Sequence, residues 1–148
     1  MDFVKEGNSV SPRWFGLALQ ALVILMDSDH VCSSTSIADN TNAGVTFMRR
    51  VMAPLVKANI VKAREGRDGG YLLAKPANLI KLSEVYRALQ VSNPLSAALD
   101  ESLDENFPHR QDLCPVFAQI AERAEEQILK LLDEYTVADL ANAQSRQP

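Results

Sequence analysis

The sequence predicts a mainly α-helical fold with one small β-hairpin, and three observations support that prediction. Apolar residues recur at three- and four-residue steps in several segments, most clearly after residues 44 and 115. Two short runs, at 60–65 and 70–74, flank a glycine-rich cluster typical of a hairpin turn. The composition, 47% hydrophobic and 23% charged over 148 residues, fits one globular domain, with or without an oligomerisation arm. It excludes a disordered chain, a collagen-like repeat and a disulfide-dense mini-protein.

Two helices are predicted near the start of the chain. The first spans 11–26, with Ser11 able to cap it and Pro12 at the first helical position, where a missing N–H costs nothing. The second is short, spans 34–40 and is capped by Ser33 or Ser34. Turn-forming residues then separate it from the next helix.

A third helix is predicted over 45–58, with one apolar and one basic face. Pro54 interrupts this pattern because proline removes a backbone donor, so we expect a kink near Ala53. Asn59 is a plausible left-handed residue at the end of the helix. The β-hairpin follows, with Arg67 at its tip, and a further short helix is predicted over 83–90.

The remainder of the chain is predicted as an acidic linker and a long helix. The segment 92–112 contains two prolines and is expected to be irregular, and Pro115 is expected to open the long helix. Six apolar residues of that helix follow a heptad spacing, which is typical of a helix packed lengthwise against another helix. They are Phe117, Ala121, Ala124, Ile128, Leu131 and Tyr135. A capping box at 136–139 predicts a separate final helix.

These elements suggest three regions: a helical and hairpin domain at 1–91, a linker at 92–114, and a long helix with a short final helix at 115–148. The charge divides in the same way. Residues 1–91 hold 11 basic and 8 acidic side chains, whereas residues 92–148 hold 4 basic and 11 acidic ones. Within 43–81 the net charge is +6, although the whole chain carries −4. A basic block beside an acidic tail favours a module that faces a polyanion; two unrelated solvated surfaces are the alternative.

The order of three helices and a hairpin is that of a winged helix-turn-helix. In such a fold the third helix enters the DNA major groove and its N-terminal residues, here Val45, Thr46, Phe47, Arg49 and Arg50, reach base edges. The wing would then contact the flanking backbone or the minor groove, and free N–H groups at helix N-termini would face phosphates. The candidate DNA-binding residues are Arg13, Ser34, Thr35, Val45, Thr46, Arg49, Arg50, Arg64, Arg67 and Gly69.

Each of these residues also has a simpler interpretation. Paired arginines on an exposed helix are often only solvated, and Val45 or Phe47 can close the core. A winged helix can also serve as a protein-interaction module without reading DNA. The prediction of DNA binding depends on a basic helix followed directly by a basic hairpin.

The motifs in this region resemble the Rrf2 (Rrf-two) family of bacterial winged helix-turn-helix regulators. The wing carries Gly-Gly-Tyr-x-Leu-Ala at 69–74, followed by Ile-x-Leu at 80–82, and Thr-x-Ala-Asp-Leu at 136–140 also fits. The resemblance implies a homodimer, with the long helix crossing to the partner through its apolar seam. It also implies binding to a pseudo-palindromic operator in double-stranded DNA, usually with repression of transcription.

Some members of that family bind an iron–sulphur cluster through three closely spaced cysteines, and this sequence departs from their pattern. Only Cys114 matches, at the last of the three positions. One thiolate in each subunit cannot by itself hold a cluster that normally takes four ligands, and the further candidate ligands nearby are His109 and Asp112. The sequence therefore resembles the cysteine-poor branch of the family, with no cofactor expected and an inducer that the sequence does not identify.

Cys114 has two possible roles. If it lies at a helix N-terminus beside Pro115, its thiol gains reactivity and could act as a redox sensor. Otherwise it is a small buried hydrophobic residue. Cys32 is expected to be structural, and two unpaired cysteines fit a reducing compartment.

Other classes of protein are not supported by the sequence. The longest apolar stretch, at 14–26, is too short to cross a bilayer, and the first residues do not resemble a signal peptide. We therefore expect a cytoplasmic protein without a membrane partner. There is no nucleophile–base set, no phosphate-binding glycine loop and no metal-ligand spacing, so we expect no enzymatic activity.

Overall fold

The computed structural model describes residues 9–142, apart from the side chains of Asp100 and Glu101. The outer parts of the predicted domains, at 1–8 and 143–148, lie outside the described residues. The helices are α1 (Pro12–Met26), α2 (Ser34–Asp39), α3 (Val45–Lys57), α4 (Leu82–Leu89), α5 (Pro94–Ser102), α6 (Arg110–Leu132) and α7 (Val137–Ala141). The strands are β1 (Val61–Arg64) and β2 (Gly70–Leu73), and a 3-10 turn spans Ala77–Leu79. The predicted mainly helical fold with a small hairpin is confirmed.

The helices α1 and α2 form where the sequence predicts them. Pro12 occupies the first turn of α1, but Ser11 makes no side-chain capping bond there. In α2 the cap is Ser33, whose hydroxyl accepts a hydrogen bond from the Ser36 amide at 3.1 Å. This bond satisfies one of the amides that a helix N-terminus leaves without a partner.

The helix α3 runs through Pro54 as far as Lys57. Its buried side chains, Met48, Val51, Met52 and Leu55, recur at helical steps and fill the centre of the core. The proline therefore does not end the helix, and the kink near Ala53 stays a prediction. Asn59 has the expected left-handed conformation, with φ of 59°.

The hairpin is antiparallel, with Val61 opposite Leu73 and Arg64 opposite Gly70. Its second strand is also tied to the turn between α1 and α2. The amide of Cys32 donates to the Tyr71 carbonyl at 2.9 Å, and the amide of Tyr71 donates to the Cys32 carbonyl at 2.8 Å. These two bonds fix the wing against the helical part of the domain.

Gly70 is required by this attachment. Its φ is +155°, and a Cβ at this position would overlap the backbone carbonyl of Cys32. Only glycine combines that conformation with so close an approach of two chains. Close packing against Cys32 therefore explains the second glycine of the wing motif.

Two predictions for the segment after residue 91 are wrong. Residues 92–112 are not irregular, because α5 occupies Pro94–Ser102, with the Asn93 side chain accepting from the Leu95 amide at 3.0 Å. The long helix α6 begins at Arg110 and not at Pro115, which lies inside it. Pro115 lies in the second turn of α6, where it removes one backbone donor but does not end the helix.

The C-terminal elements share the core of the N-terminal ones. Val137 of α7 is fully buried in the same cluster as α1 and α3 residues. The backbone joins them as well: the Leu82 amide donates to the Tyr135 carbonyl at 3.0 Å, and the Val137 amide donates to the Ile80 carbonyl at 2.9 Å. The three predicted regions differ in composition and charge, but residues of the first and the third region pack into one hydrophobic core.

The predicted apolar seam of α6 is split between two faces. Ala121 is 2% exposed and buried by its own chain, and Ile128 and Tyr135 pack against the core. Leu131, by contrast, is 55% exposed. Two apolar residues outside the predicted seam are also exposed, Val116 at 59% and Ile120 at 49%. Half of the predicted seam therefore covers the protomer's own core, and the role of the seam as a dimer interface stays a prediction.

Candidate nucleic-acid interface

A cleft of about 490 Å³ lies between the N-terminus of α2, α3 and the hairpin, and we call it the wing cleft. Six of the predicted DNA-binding residues line it: Ser34, Thr35, Arg49, Arg64, Arg67 and Gly69. Residues up to 35 positions apart in the sequence thus meet on one surface. The lining includes three arginines and one acidic residue, Glu65, so the cleft suits an anionic ligand.

Arg49 is positioned across the cleft by α2. Its Nε donates to the Ser34 Oγ at 3.1 Å. The remaining N–H groups of the guanidinium stay at the surface, because Arg49 is exposed. Such a bond limits the rotamers of a long side chain, so less conformational entropy is lost when it binds a ligand.

The wing contributes Arg64 and Arg67, both of which are exposed. Gly69 closes the turn between them: its amide donates to the Gly66 carbonyl at 3.1 Å. A Cβ on Gly69 would overlap the Arg64 carbonyl, so the turn depends on glycine here. Gly69 therefore shapes the wing, while the two arginines supply its positive charge.

Arg13 and Arg50 lie outside the wing cleft, in a group that we call the arginine–aromatic cluster, with Trp14 and Phe47. The Arg13 Cζ lies 5.0 Å from the centroid of the Phe47 ring. The Arg50 Cζ lies 5.4 Å from the Trp14 centroid and 5.8 Å from that of Phe47. The two rings meet edge to face at 5.1 Å. These distances are within the range of cation–π contacts.

Val45 and Thr46 form the first turn of α3, with Val45 half-buried and Thr46 exposed. Thr46 is therefore free to face a ligand, whereas Val45 packs partly against the core. The first turns of α1, α2 and α3 contain no acidic residue. Their amide ends keep their partial positive charge, which favours phosphate groups.

Sequence reasoning missed the positions of Trp14 and of the Phe47 ring. Both residues belong to apolar helical patterns, and such patterns predict core positions. The sequence does place an arginine near an aromatic residue twice. Arg13 and Trp14 are consecutive in the first turn of α1, and Phe47 and Arg50 are about one turn apart in α3. Only the packing of α1 against α3 brings the two pairs together.

Comparison with known proteins assigns the chain to a family. Residues 13–143 match the model of the Rrf2 family, described as iron-dependent transcriptional regulators. The chain belongs to the Rrf2 family. This confirms the resemblance found in the wing motif, and the protein is a DNA-binding transcriptional regulator of the winged-helix type.

Solved structures of Rrf2-type regulators have the same fold. IscR of T. potens is 25% identical, covers 96% of this chain and 93% of its own, and aligns with a TM-score of 0.65. CymR of B. subtilis, the global cysteine regulator of that organism, is 24% identical over 88% of this chain and 94% of its own, with a TM-score of 0.59. CymR of S. aureus is 23% identical over 88% and 96%, with a TM-score of 0.62. The likeness to the two CymR proteins shows the fold alone.

The described part of the chain has no set of side chains suited to bind the iron that the family description names. Residues 9–142 contain no group of three His, Cys, Asp or Glu side chains placed to hold a metal ion. Cys32 lies beside β2 and Cys114 lies in α6, and both thiols are free and buried. Iron and iron–sulphur clusters need several ligands on one centre, so these residues do not fit either group.

The prediction that Cys114 lies at a helix N-terminus is wrong. The helix α6 begins at Arg110, which places Cys114 in the second turn, where its amide has an intrahelical partner. Its side chain is 7% exposed. The structure therefore favours the interpretation of Cys114 as a small buried hydrophobic residue over that of a sensor.

None of the helices within 9–142 is both long enough and apolar enough to cross a membrane.

Proposed function

We propose that the protein represses transcription by binding a pseudo-palindromic operator as a homodimer. In each subunit α3 enters the major groove and the wing lies on the flanking backbone or in the minor groove. The observation that carries this proposal is the wing cleft, in which Arg49 of α3 and Arg64 and Arg67 of the hairpin share one exposed surface. A DNA-binding surface needs such a combination of groove-reading and phosphate-binding groups.

The position of Arg49 supports a role in base recognition. It lies in the second turn of α3, and only the first turns of a recognition helix reach the base edges. A guanidinium can donate two parallel hydrogen bonds to guanine, worth about 1–3 kcal/mol of discrimination against the wrong base. The bond to Ser34 leaves other N–H donors of Arg49 available for such a pair.

The dimer is supported by the exposed apolar stripe of α6, formed by Val116, Ile120 and Leu131. These residues lie 4 and 11 positions apart, which places them on one side of the helix. Phe117 and Ala124 from the predicted seam are half-buried and lie beside the stripe. A second copy of α6 that packs along this face would remove the stripe from water, as lengthwise helix pairs do.

Two-fold symmetry then determines the form of the operator. Two identical subunits related by a two-fold axis present two α3 helices in opposite directions. They would bind half-sites about one helical turn apart, or a multiple of it, in an inverted repeat. Occupying such a site at a promoter would exclude the transcription machinery.

The test of this proposal is the double variant Arg49→Ala with Arg50→Ala. The probe is a duplex selected from a random DNA library by the wild-type protein. We expect the variant to lose specific binding, by a factor of at least about 30, since each of the two subunits loses an arginine–guanine pair worth about 1–3 kcal/mol. Binding is measured by fluorescence anisotropy over a range of salt concentrations.

The control is Arg87→Ala with Lys130→Ala, which also removes two exposed positive charges, but on α4 and α6. We expect it to bind the same duplex within a factor of about 3 of wild type, because its charges lie far from the wing cleft in the sequence and on other elements. Normal binding by the Arg49/Arg50 variant would show that α3 is not the recognition helix.

A further inference from the structure

The arginine–aromatic cluster has Phe47 at its centre. The Phe47 ring contacts Trp14 and lies within cation–π distance of both Arg13 and Arg50. It thereby links the first turn of α1 to the second turn of α3. A single side chain thus determines where two guanidinium groups lie.

Two positive charges beside one ring repel each other, and an ordinary surface would place a carboxylate between them. Among the described side chains neither Arg13 nor Arg50 forms an ion pair with a carboxylate. The negative faces of the aromatic rings offset part of the repulsion. The remaining positive field makes the cluster a site for an external anion.

The cation–π contacts leave the hydrogen-bonding groups of the arginines available. A guanidinium held beside a ring spends no N–H donor on a carboxylate, and its donors lie in its own plane, at the edge. The edge matches the two oxygens of a phosphate. Both arginines are exposed, so these edges lie at the surface.

We propose that Trp14 and Phe47 are positioning residues of the DNA interface, which hold Arg13 and Arg50 ready to bind backbone phosphates on the α1 side of α3. This inference deepens the proposed function and rests on it. Arg49 lies about 100° away around α3, in the wing cleft. The two neighbouring arginines of α3 therefore have different tasks: Arg49 reads the groove and Arg50 fixes the register of the helix on the backbone.

The first experiment compares Phe47→Leu and Arg50→Lys with wild type on the duplex selected by the wild-type protein. Leucine removes the ring, and lysine keeps the charge but loses the planar guanidinium and its paired N–H donors. We expect each variant to bind about tenfold more weakly, the effect of losing two cation–π contacts. We also expect the slope of log K against log salt to fall by about 1 or 2, because phosphate contacts are lost.

The matched control is Phe107→Leu, the same substitution at an exposed phenylalanine between α5 and α6. It should leave affinity and salt slope unchanged. A second control is Phe47→Tyr, which keeps the ring and should bind within about twofold of wild type. Thermal unfolding of every variant is measured in parallel, since Phe47 also packs against the core.

A double-mutant cycle separates positioning from stability. If Phe47 acts through Arg50, the variant with both Phe47→Leu and Arg50→Lys should bind little worse than either single variant. Additive losses, or an unchanged salt slope with a lower melting temperature, would assign Phe47 a structural role only and overturn the proposal.

Trp14 offers an independent measurement because it is the only tryptophan of the chain. A phosphate bound to Arg50 changes the charge beside the indole, so we expect the fluorescence of Trp14 to change on titration with the selected duplex. The change should be lost in Arg50→Ala and kept in Phe107→Leu. An unchanged emission at saturating DNA would count against the cluster as part of the interface.

The outcomes distinguish the two proposals. Wild-type binding by Phe47→Leu and Arg50→Lys, together with loss of binding by the Arg49/Arg50 double alanine variant, overturns the role of the cluster and leaves the proposed function in place. Wild-type binding by the double alanine variant overturns both. The positioning role is supported if both cluster variants bind more weakly with a lower salt slope and Phe47→Tyr binds like wild type.

Discussion

At the scale of single residues, the interface depends on side chains that hold other side chains. Ser34 holds Arg49 through a hydrogen bond of 3.1 Å, and Phe47 holds Arg13 and Arg50 through its ring. Gly70 allows β2 to approach Cys32 closely enough for two backbone hydrogen bonds. Positioning of this kind matters because a flexible arginine loses about 2 kcal/mol of rotamer entropy when it is fixed.

Tyr86 connects the DNA-binding part to α6 by a polar contact. Its hydroxyl donates to the Glu125 Oε2 at 3.1 Å, and its ring meets Phe15 edge to face at 5.4 Å. Burial, and then the charge and hydrogen bond of Glu125, raise the pKa of Tyr86 to about 12. The protonated hydroxyl therefore stabilises the folded state.

A pH dependence follows from this shift. Because the pKa in the folded protein exceeds the usual value of 10.0, the stabilisation is complete below pH 10 and is lost as the pH rises through about 12. In Tyr86→Phe we expect a free energy of unfolding about 1–2 kcal/mol lower at neutral pH and a weaker decline at alkaline pH. A spectrophotometric titration should lose its component near pH 12 in Tyr86→Phe but not in Tyr71→Phe. If that component persists in Tyr86→Phe, another group causes it.

At the scale of elements, α6 has two apolar faces with different tasks. One face carries Ala121, Ile128 and Leu132 and packs against its own chain. The other carries the exposed stripe of Val116, Ile120 and Leu131. The first face is further held by the Asn93 side chain, which donates to the Ala121 carbonyl at 2.7 Å. The orientation of α6 thus determines which apolar residues remain for a partner.

The variant Ile120→Glu tests the dimer. It places one negative charge per subunit into the proposed apolar interface, where burying the carboxylate is costly, so we expect the protein to sediment as a monomer of 16.3 kDa. The control is Gln119→Glu, which adds the same charge at the neighbouring exposed position, about 100° away around the helix. It should remain a dimer. If Ile120→Glu also stays dimeric, the stripe is not the interface.

At the scale of the whole molecule, one core extends from α1 to α7. Val137 is buried beside residues of the N-terminal helices, and Ser83 of α4 donates a hydrogen bond to the Asp133 carboxylate just after α6. The capping box of Thr136 and Asp139 begins α7 at the point where the chain returns to the core. The proposed dimerisation helix and the DNA-binding elements are thus parts of one packed unit.

Val137→Ala tests whether this unit unfolds cooperatively. We expect the free energy of unfolding to fall by about 1–3 kcal/mol, because the substitution removes two fully buried methyl groups and leaves a cavity. The unfolding should stay a single transition when followed both by Trp14 fluorescence and by circular dichroism. The exposed Leu140 on the same helix is the control, and Leu140→Ala should change stability much less. Two separate transitions would show that the C-terminal part unfolds independently.

The sequence predicted most elements of the fold because their signals are local. The hairpin follows from its turn residues, the order of helices from their periodicity, and the candidate arginines from their density within 43–81. The helix α5 was missed because its acidic composition and Pro94 are typical of a loop as well as of a helix start. The start of α6 was misplaced because Pro115 is an equally good first residue.

The sequence by itself determined the winged-helix order, the basic block and the family, since these depend on composition and on motifs along the chain. Only the tertiary structure decided which face of α6 is exposed and which rings lie under Arg13 and Arg50. The physical reason is that a helical pattern reports which residues share a face but not what that face packs against. Trp14 and Phe47 are 33 positions apart, and only the packing of α1 on α3 brings them together.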